Sequence, residues 1–94
     1  MDGFEWDEDK RQRNLADRGV DFRLALGIFR GLVLEGKDDR TDYGETRYRA
    51  IGRVGDEHFL VIYTWRGENR RIISAWRVGE RGRRRYQAVL SSRA

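Results

Sequence analysis

The sequence predicts an α+β domain: an antiparallel sheet preceded by two helices and followed by one. Three observations carry that prediction. Residues 46–77 hold three strand-like runs, "TRYRAIGRV", "HFLVIYTW" and "RRIISAWR", joined only by the short turns "GDE" and "RGEN", and adjacent runs with tight turns pair as an antiparallel meander. Before them, two segments open on an aspartate and continue with helix-forming residues. After them, "GERGRRRYQAVLSS" places Tyr86, Val89 and Leu90 on one helical stripe under a basic exposed side.

Taken in order, "GFEW" is a short apolar piece suited to an edge strand. Asp7 caps a helix through "EDKRQRNLAD" to about Asp17, and Gly19 ends it. Asp21 caps a second helix, "FRLALGIFR", whose Phe22, Ala25, Leu26 and Phe29 recur at helical spacing and are expected to face a core. "LVLE" follows as a strand, and the polar "GKDDRTDYGE" is expected to be a mobile loop. In the first run of the meander Tyr48, Ala50 and Val54 share one face, while Arg47, Arg49 and Arg53 alternate onto the other, with Ile51 among them. The second run is apolar on both faces and therefore central. The predicted order is β-α-α-β-β-β-β-α.

Ninety-four residues close one modest core, so residues 1–94 are read as a single domain. With no cysteine, neither a disulfide framework nor a thiolate metal site is available. No signal-peptide pattern opens the chain, and no apolar run approaches the roughly 18 residues that span a bilayer. A cytoplasmic protein without membrane association is expected. Charge is unevenly distributed: residues 1–45 carry 8 Lys or Arg against 12 Asp or Glu, a balance of −4, and residues 46–94 carry 12 against 4, a balance of +8. Residues 63–85 alone hold eight arginines and two acids. Such a second half is suited to an anionic partner.

Several ordered blocks point further. "FEWDEDKRQRNLADRGVDFRLALGIF", "RYRAIGRV", "VIYTWRGENRRIISAWR" and the basic terminal helix with Tyr86 together resemble the BrnT family, ribonuclease toxins of type II toxin-antitoxin modules with a RelE-like fold. The resemblance spans about residues 4–87. It departs from the family pattern at three places: Asp17-Arg18-Gly19 stands where Lys-His-Gly is common, Trp76 where an arginine is usual, and Gly82-Arg83 where a Glu-Arg pair is usual.

Metal-free RNA cleavage needs a base for the 2′-OH, stabilisation of the phosphorane charge, and relief of the departing 5′-oxygen. His58 is the sole histidine, so a histidine pair is impossible; it is expected to be solvated or half-packed at a strand start. The resemblance implies clustered Arg, Lys and Tyr on the sheet and terminal helix instead, and the matching positions are Arg47, Arg66, Arg77 and Arg83. Arginine stays protonated and suits charge stabilisation rather than proton abstraction. The base stays open among Tyr63, Tyr48 and Glu68. Arg49, Arg84, Arg85 and Trp76 are the candidate RNA contacts, and Trp65 is a second possible stacking surface. No metal and no cofactor are expected. The resemblance also implies a BrnA-like antitoxin with a ribbon-helix-helix part, which would bring operator DNA to the complex; no recognition helix for direct operator binding is evident in this chain. A module that only binds RNA or its antitoxin, without catalysis, is the competing reading.

Overall fold

The computed structural model describes residues 3–40 and 44–93. The chain runs β1 (Phe4–Trp6), α1 (Glu8–Arg18), α2 (Phe22–Ala25), a 3₁₀ helix (Leu26–Arg30), β2 (Leu34–Lys37), β3 (Tyr48–Val54), β4 (Glu57–Arg66), β5 (Asn69–Arg77) and α3 (Glu80–Ser92). The two aspartates act as the sequence requires. The Asp7 carboxylate accepts from the N–H groups of Asp9 and Lys10, and that of Asp21 from the N–H of Arg23, which satisfies donors that the first turn leaves over. Gly19 ends α1 at φ 69°, a left-handed conformation that glycine adopts without strain, and donates its N–H to the Leu15 carbonyl.

The second helix is not continuous. It tightens after Ala25 into the 3₁₀ helix, whose three-residue period brings Phe22, Ala25 and Ile28 onto one buried line. Ile28, absent from the stripe expected at α-helical spacing, is fully buried, whereas Phe29 is only partly so. Gly52 on β3 lets this helix approach: a Cβ there would lie 2.6 Å from the Ile28 Cβ.

The sheet order is β1-β5-β4-β3-β2. Strands β2 to β5 are antiparallel, as the tight turns predict, but β1 adds parallel to β5, Phe4 opposite Arg70 and Trp6 opposite Ile72, so the sheet is mixed. Residues 32 and 33 of the "LVLE" run precede β2, and Gly36 and Lys37 of the polar segment complete it. Asp38 beyond it is buried; residues 41–43 of that segment lie outside the described residues.

Pairing along β4 and β5 passes from Ile62 opposite Ser74 to Tyr63 opposite Ile72, so Ile73 is an extra residue on β5. That bulge keeps Ala75 and Ile72 on the same face as Val61 and Tyr63 although they are three residues apart. The face they share packs on α1, α2 and the 3₁₀ helix, and the core is Val20, Phe22, Ala25, Leu26, Ile28, Ala50, Phe59, Val61, Tyr63, Ile72 and Ala75. Because β1 covers only residues 70–72 of β5, the rest of that edge needs another partner. Asn14 supplies it. Its side-chain amide donates to the carbonyls of Ala75 (2.8 Å) and Val20 (2.9 Å) and accepts from the Ala75 N–H (3.2 Å), standing in for a missing strand.

Candidate functional site

Alternation along the strands directs a second set of side chains to the face away from α1 and α2. Arg49, Ile51 and Arg53 of β3 lie opposite Ile62, Leu60 and His58 of β4. Arg66 extends the β4 series, and Arg71, Ser74 and Trp76 of β5 pair with Thr64, Ile62 and Leu60. Arg47 continues the β3 series, since its carbonyl accepts from the Asp38 N–H and prolongs the ladder. The terminal helix α3 crosses part of this face, tied down by Tyr86, whose hydroxyl donates to the Leu32 carbonyl and whose ring meets His58 edge-on.

Three clusters occupy the face. At the hairpin end the Glu45 carboxylate sits between two guanidiniums, 3.3 Å from Arg47 Nε and 3.9 Å from Arg66 Nη2. Next to it, Arg49 of β3 and Arg81 and Arg85 of α3 line a cleft of about 410 Å³ with Leu34, Gly36, Ile51 and Gly82. Arg81 and Arg85 are one helical turn apart and so share a side of α3. Among the described residues none of these three arginines has a carboxylate within ion-pair distance. Glu35 borders the cleft, but its carboxylate accepts from the Tyr63 hydroxyl (2.8 Å) and from Arg70 (3.3 Å). Thirdly, the half-buried Trp76 lies under Arg18, 4.7 Å from its ring centroid, with Arg40 at 5.8 Å. Arg40 in turn binds the buried Asp38 carboxylate through two nitrogens, at 2.6 and 2.8 Å. The Trp76 ring is thus already engaged by guanidinium groups.

Arg47, Arg66, Arg77 and Arg83 therefore do not form one group. Arg47 and Arg66 meet around Glu45. Arg77 follows Trp76 on the strand and so projects to the helix-bearing face, where its guanidinium binds Glu57 (3.3 Å), donates to the Gly19 carbonyl (3.2 Å) and lies over Phe59. Arg83 stands on the outer flank of α3 beside His58, Arg84 and Gln87. The candidate RNA contacts divide likewise: Arg49 and Arg85 share the cleft, whereas Arg84 sits on the outer flank and holds Glu80.

The bases left open by the sequence are also placed. Tyr63 donates its hydroxyl to Glu35 on the helix-bearing face, and burial, the largest influence on it, raises its pKa above the ordinary phenolic value. Tyr48 stacks on Tyr63 at 5.5 Å. Glu68 is exposed in the β4–β5 turn. Trp65, 43% exposed, lies under Arg70 on the helix-bearing side. His58, expected to be solvated or half-packed, is instead buried, 7% exposed; burial, then the charges of Arg83 and Arg53, lowers its pKa.

Sequence reasoning passed over Glu45, Arg81 and the contact of Arg18 with Trp76. For Arg81 a signal existed, its four-residue spacing from Arg85; nothing local marks Glu45 or the Arg18–Trp76 pair. Among the described residues no three His, Cys, Asp or Glu side chains gather as a metal site, and no described helix is long and apolar enough to cross a membrane.

A sheet face carrying arginines from three strands and a helix, several with no carboxylate within ion-pair distance among the described residues, defines a small α+β protein with a strongly electropositive side. Residues 6–81 match the family of ribonuclease toxins, BrnT, of type II toxin-antitoxin systems, and the chain belongs to that family. Membership implies RNA as the target and an antitoxin as the partner. The match ends in the first turn of α3, so Arg83, Arg84 and Arg85 lie beyond it. No curated protein matches the chain.

Proposed function

We propose that this chain is a toxin that cleaves RNA internally without a metal ion, on the sheet face bearing Glu45, Arg47, Arg66 and the cleft of Arg49, Arg81 and Arg85. The cleft carries the reading: three guanidiniums from two separate elements converge with no carboxylate within ion-pair distance of them among the described residues, and gathered like charges of that kind are relieved by a phosphate that accepts several charge-assisted hydrogen bonds. Arg49 and Arg47, two residues apart on one strand side, are about 7 Å apart along the chain, so a strand anchored in the cleft extends directly to Glu45.

There Glu45 is the general base. It takes the 2′-hydroxyl proton, the 2′-oxygen bonds to phosphorus, and the bond to the 5′-oxygen breaks, leaving a 2′,3′-cyclic phosphate and a 5′-hydroxyl protonated from solvent. Arg47 and Arg66 keep their protons and stabilise the added negative charge of the phosphorane. Arg77 and Arg83 stand apart from this step, one bound to the helix face and the other across α3.

Inhibition in this reading comes from a BrnA-like ribbon-helix-helix antitoxin whose acidic segment covers the basic face, supported by the +8 balance of residues 46–94. Operator DNA is reached through the antitoxin's part of the complex. Expression of the chain alone is expected to arrest growth, and the purified chain to cleave single-stranded RNA in EDTA. Glu45→Gln is expected to lower kcat by about 10²–10⁴ while RNA affinity stays near that of the parent, and Arg49→Ala to weaken binding and reduce its salt dependence. Cleavage that EDTA abolishes and Mg²⁺ restores would overturn the mechanism.

A further inference from the structure

The eight-arginine stretch is not spent on one side of α3. Residues 81 and 85 face the cleft described above, while Arg83, Arg84, Gln87 and Ser91 line, with Glu80, Ala88 and His58, a separate cavity of about 770 Å³ on the opposite flank. Arg83 has no carboxylate within ion-pair distance among the described residues; Arg84 holds Glu80 at 2.7 Å.

The wall of this cavity contains an unfinished hydrogen-bond set. His58 is buried, and its Nε2 lies 3.1 Å from the side-chain nitrogen of Gln87. An amide nitrogen only donates, so Nε2 accepts and the imidazole proton sits on Nδ1. That buried Nδ1 has no partner among the described residues, and a stranded donor of this kind is costly. The groups around the ring are Tyr86 at its edge, Glu80, Arg83 and Arg84 of α3 lining the same cavity, and Arg53 opposite it on β3. Arg83 and Arg53 both act on it as positive charges. The pocket carries two guanidiniums against one carboxylate, that of Glu80, which Arg84 holds, so it is net positive with Arg83 left over.

We infer that this outer flank of α3 is a second phosphate-binding site, in which Arg83, Arg84, Gln87 and Ser91 hold the anion against the His58 imidazole. It is distinct from the proposed reaction cleft, and it stands whether or not that cleft cleaves RNA. The phosphate comes either from an RNA strand that continues past α3 or from a small free phosphate compound.

His58 is the only histidine in the chain, so its imidazole resonance in NMR reports on this site alone. Titration of the full chain with inorganic phosphate is expected to move that resonance saturably and to raise its titration midpoint, because an anion beside the ring favours the charged form. Arg83→Ala is expected to weaken the phosphate affinity about tenfold, equivalent to about 1.4 kcal/mol. Glu80→Gln, which releases Arg84, is expected to strengthen it, and Arg85→Ala, in the other cleft, to leave it unchanged. Uncleavable 2′-O-methyl RNA of increasing length separates the sources. A long strand that moves the His58 resonance and competes with phosphate identifies RNA; phosphate binding that such RNA does not disturb identifies a small phosphate compound. A resonance that phosphate does not move, or that moves equally in Arg83→Ala, overturns the inference. Loss of RNA cleavage in Glu45→Gln or Arg49→Ala with the His58 response intact bears on the reaction cleft and not on this site.

Discussion

Asn14 is expected to be among the most consequential residues for stability, although it lies far from the reaction face. Its amide makes three hydrogen bonds, two of them to Ala75 across 61 residues of sequence, and closes the part of the β5 edge that β1 does not reach. Asn14→Ala strands the buried Ala75 N–H, worth roughly 1–3 kcal/mol, and removes two donated bonds worth about 1 kcal/mol each. A total near 3 kcal/mol or above is a large part of the roughly 5–15 kcal/mol that holds a domain together. For a chain of this size the same loss lowers Tm by roughly 12–24 °C. Asn14→Asp keeps the acceptor for Ala75 but turns the donor into an oxygen facing two carbonyl oxygens, so it is expected to cost at least as much at neutral pH. Thermal melts and urea titrations of the purified variants measure both, with the midpoint falling and the slope unchanged if the native fold persists. A loss below about 1 kcal/mol for Asn14→Ala would refute the reasoning, because it would mean that water replaces the side chain at that edge.

Other substitutions test other parts of the fold. Gly82→Ala places a Cβ within clashing distance of Val78 Cγ1 and is expected to destabilise by about 1–3 kcal/mol; adding Val78→Ala is expected to recover part of the loss in a thermal melt, and no recovery would show that the clash is not the cause. Arg77→Ala is expected to lower Tm by a few degrees while RNA affinity in a binding titration stays unchanged, the opposite of Arg49→Ala. For His58 the lowered pKa means that the folded state binds fewer protons than the unfolded one below the ordinary value of about 6.5. Stability is therefore full above that pH and falls as pH drops through the window down to the folded-state midpoint. Urea titrations between about pH 7 and 5.5 are expected to show this slope in the parent and a flatter one in His58→Gln.

What could be read from the sequence was whatever local chemistry decides. Asp7, Gly19 and Asp21 act at helix ends through groups two to four residues away, and the turns at 55–57 and 66–69 dictate which strands meet. Pairings decided at long range were not legible: β1 against β5, Asn14 against Ala75, and Arg18 over Trp76. The site falls between these cases. Alternation alone separates Trp76 from Arg77, and helical spacing separates Arg81 and Arg85 from Arg83, so much of the division of the arginines follows from rules as simple as those that located the strands. Glu45 could not be found that way, because the chain must fold before Arg66 is brought beside it.

The parallel pairing of β1 with β5 also sets a schedule. Phe4 meets Arg70, Gly3 accepts from the Arg70 N–H, and Asn14 meets Ala75, so the first strand made waits for the last. At the roughly 5–20 residues per second of synthesis, the stretch from Phe4 to Arg70 takes on the order of 3–13 s, and Glu45, Arg47 and Arg49 are made within that interval, ahead of β5. Arg81 and Arg85 arrive later still, with α3. The arginine cleft is thus assembled only after α3 is made, later than every strand that carries it.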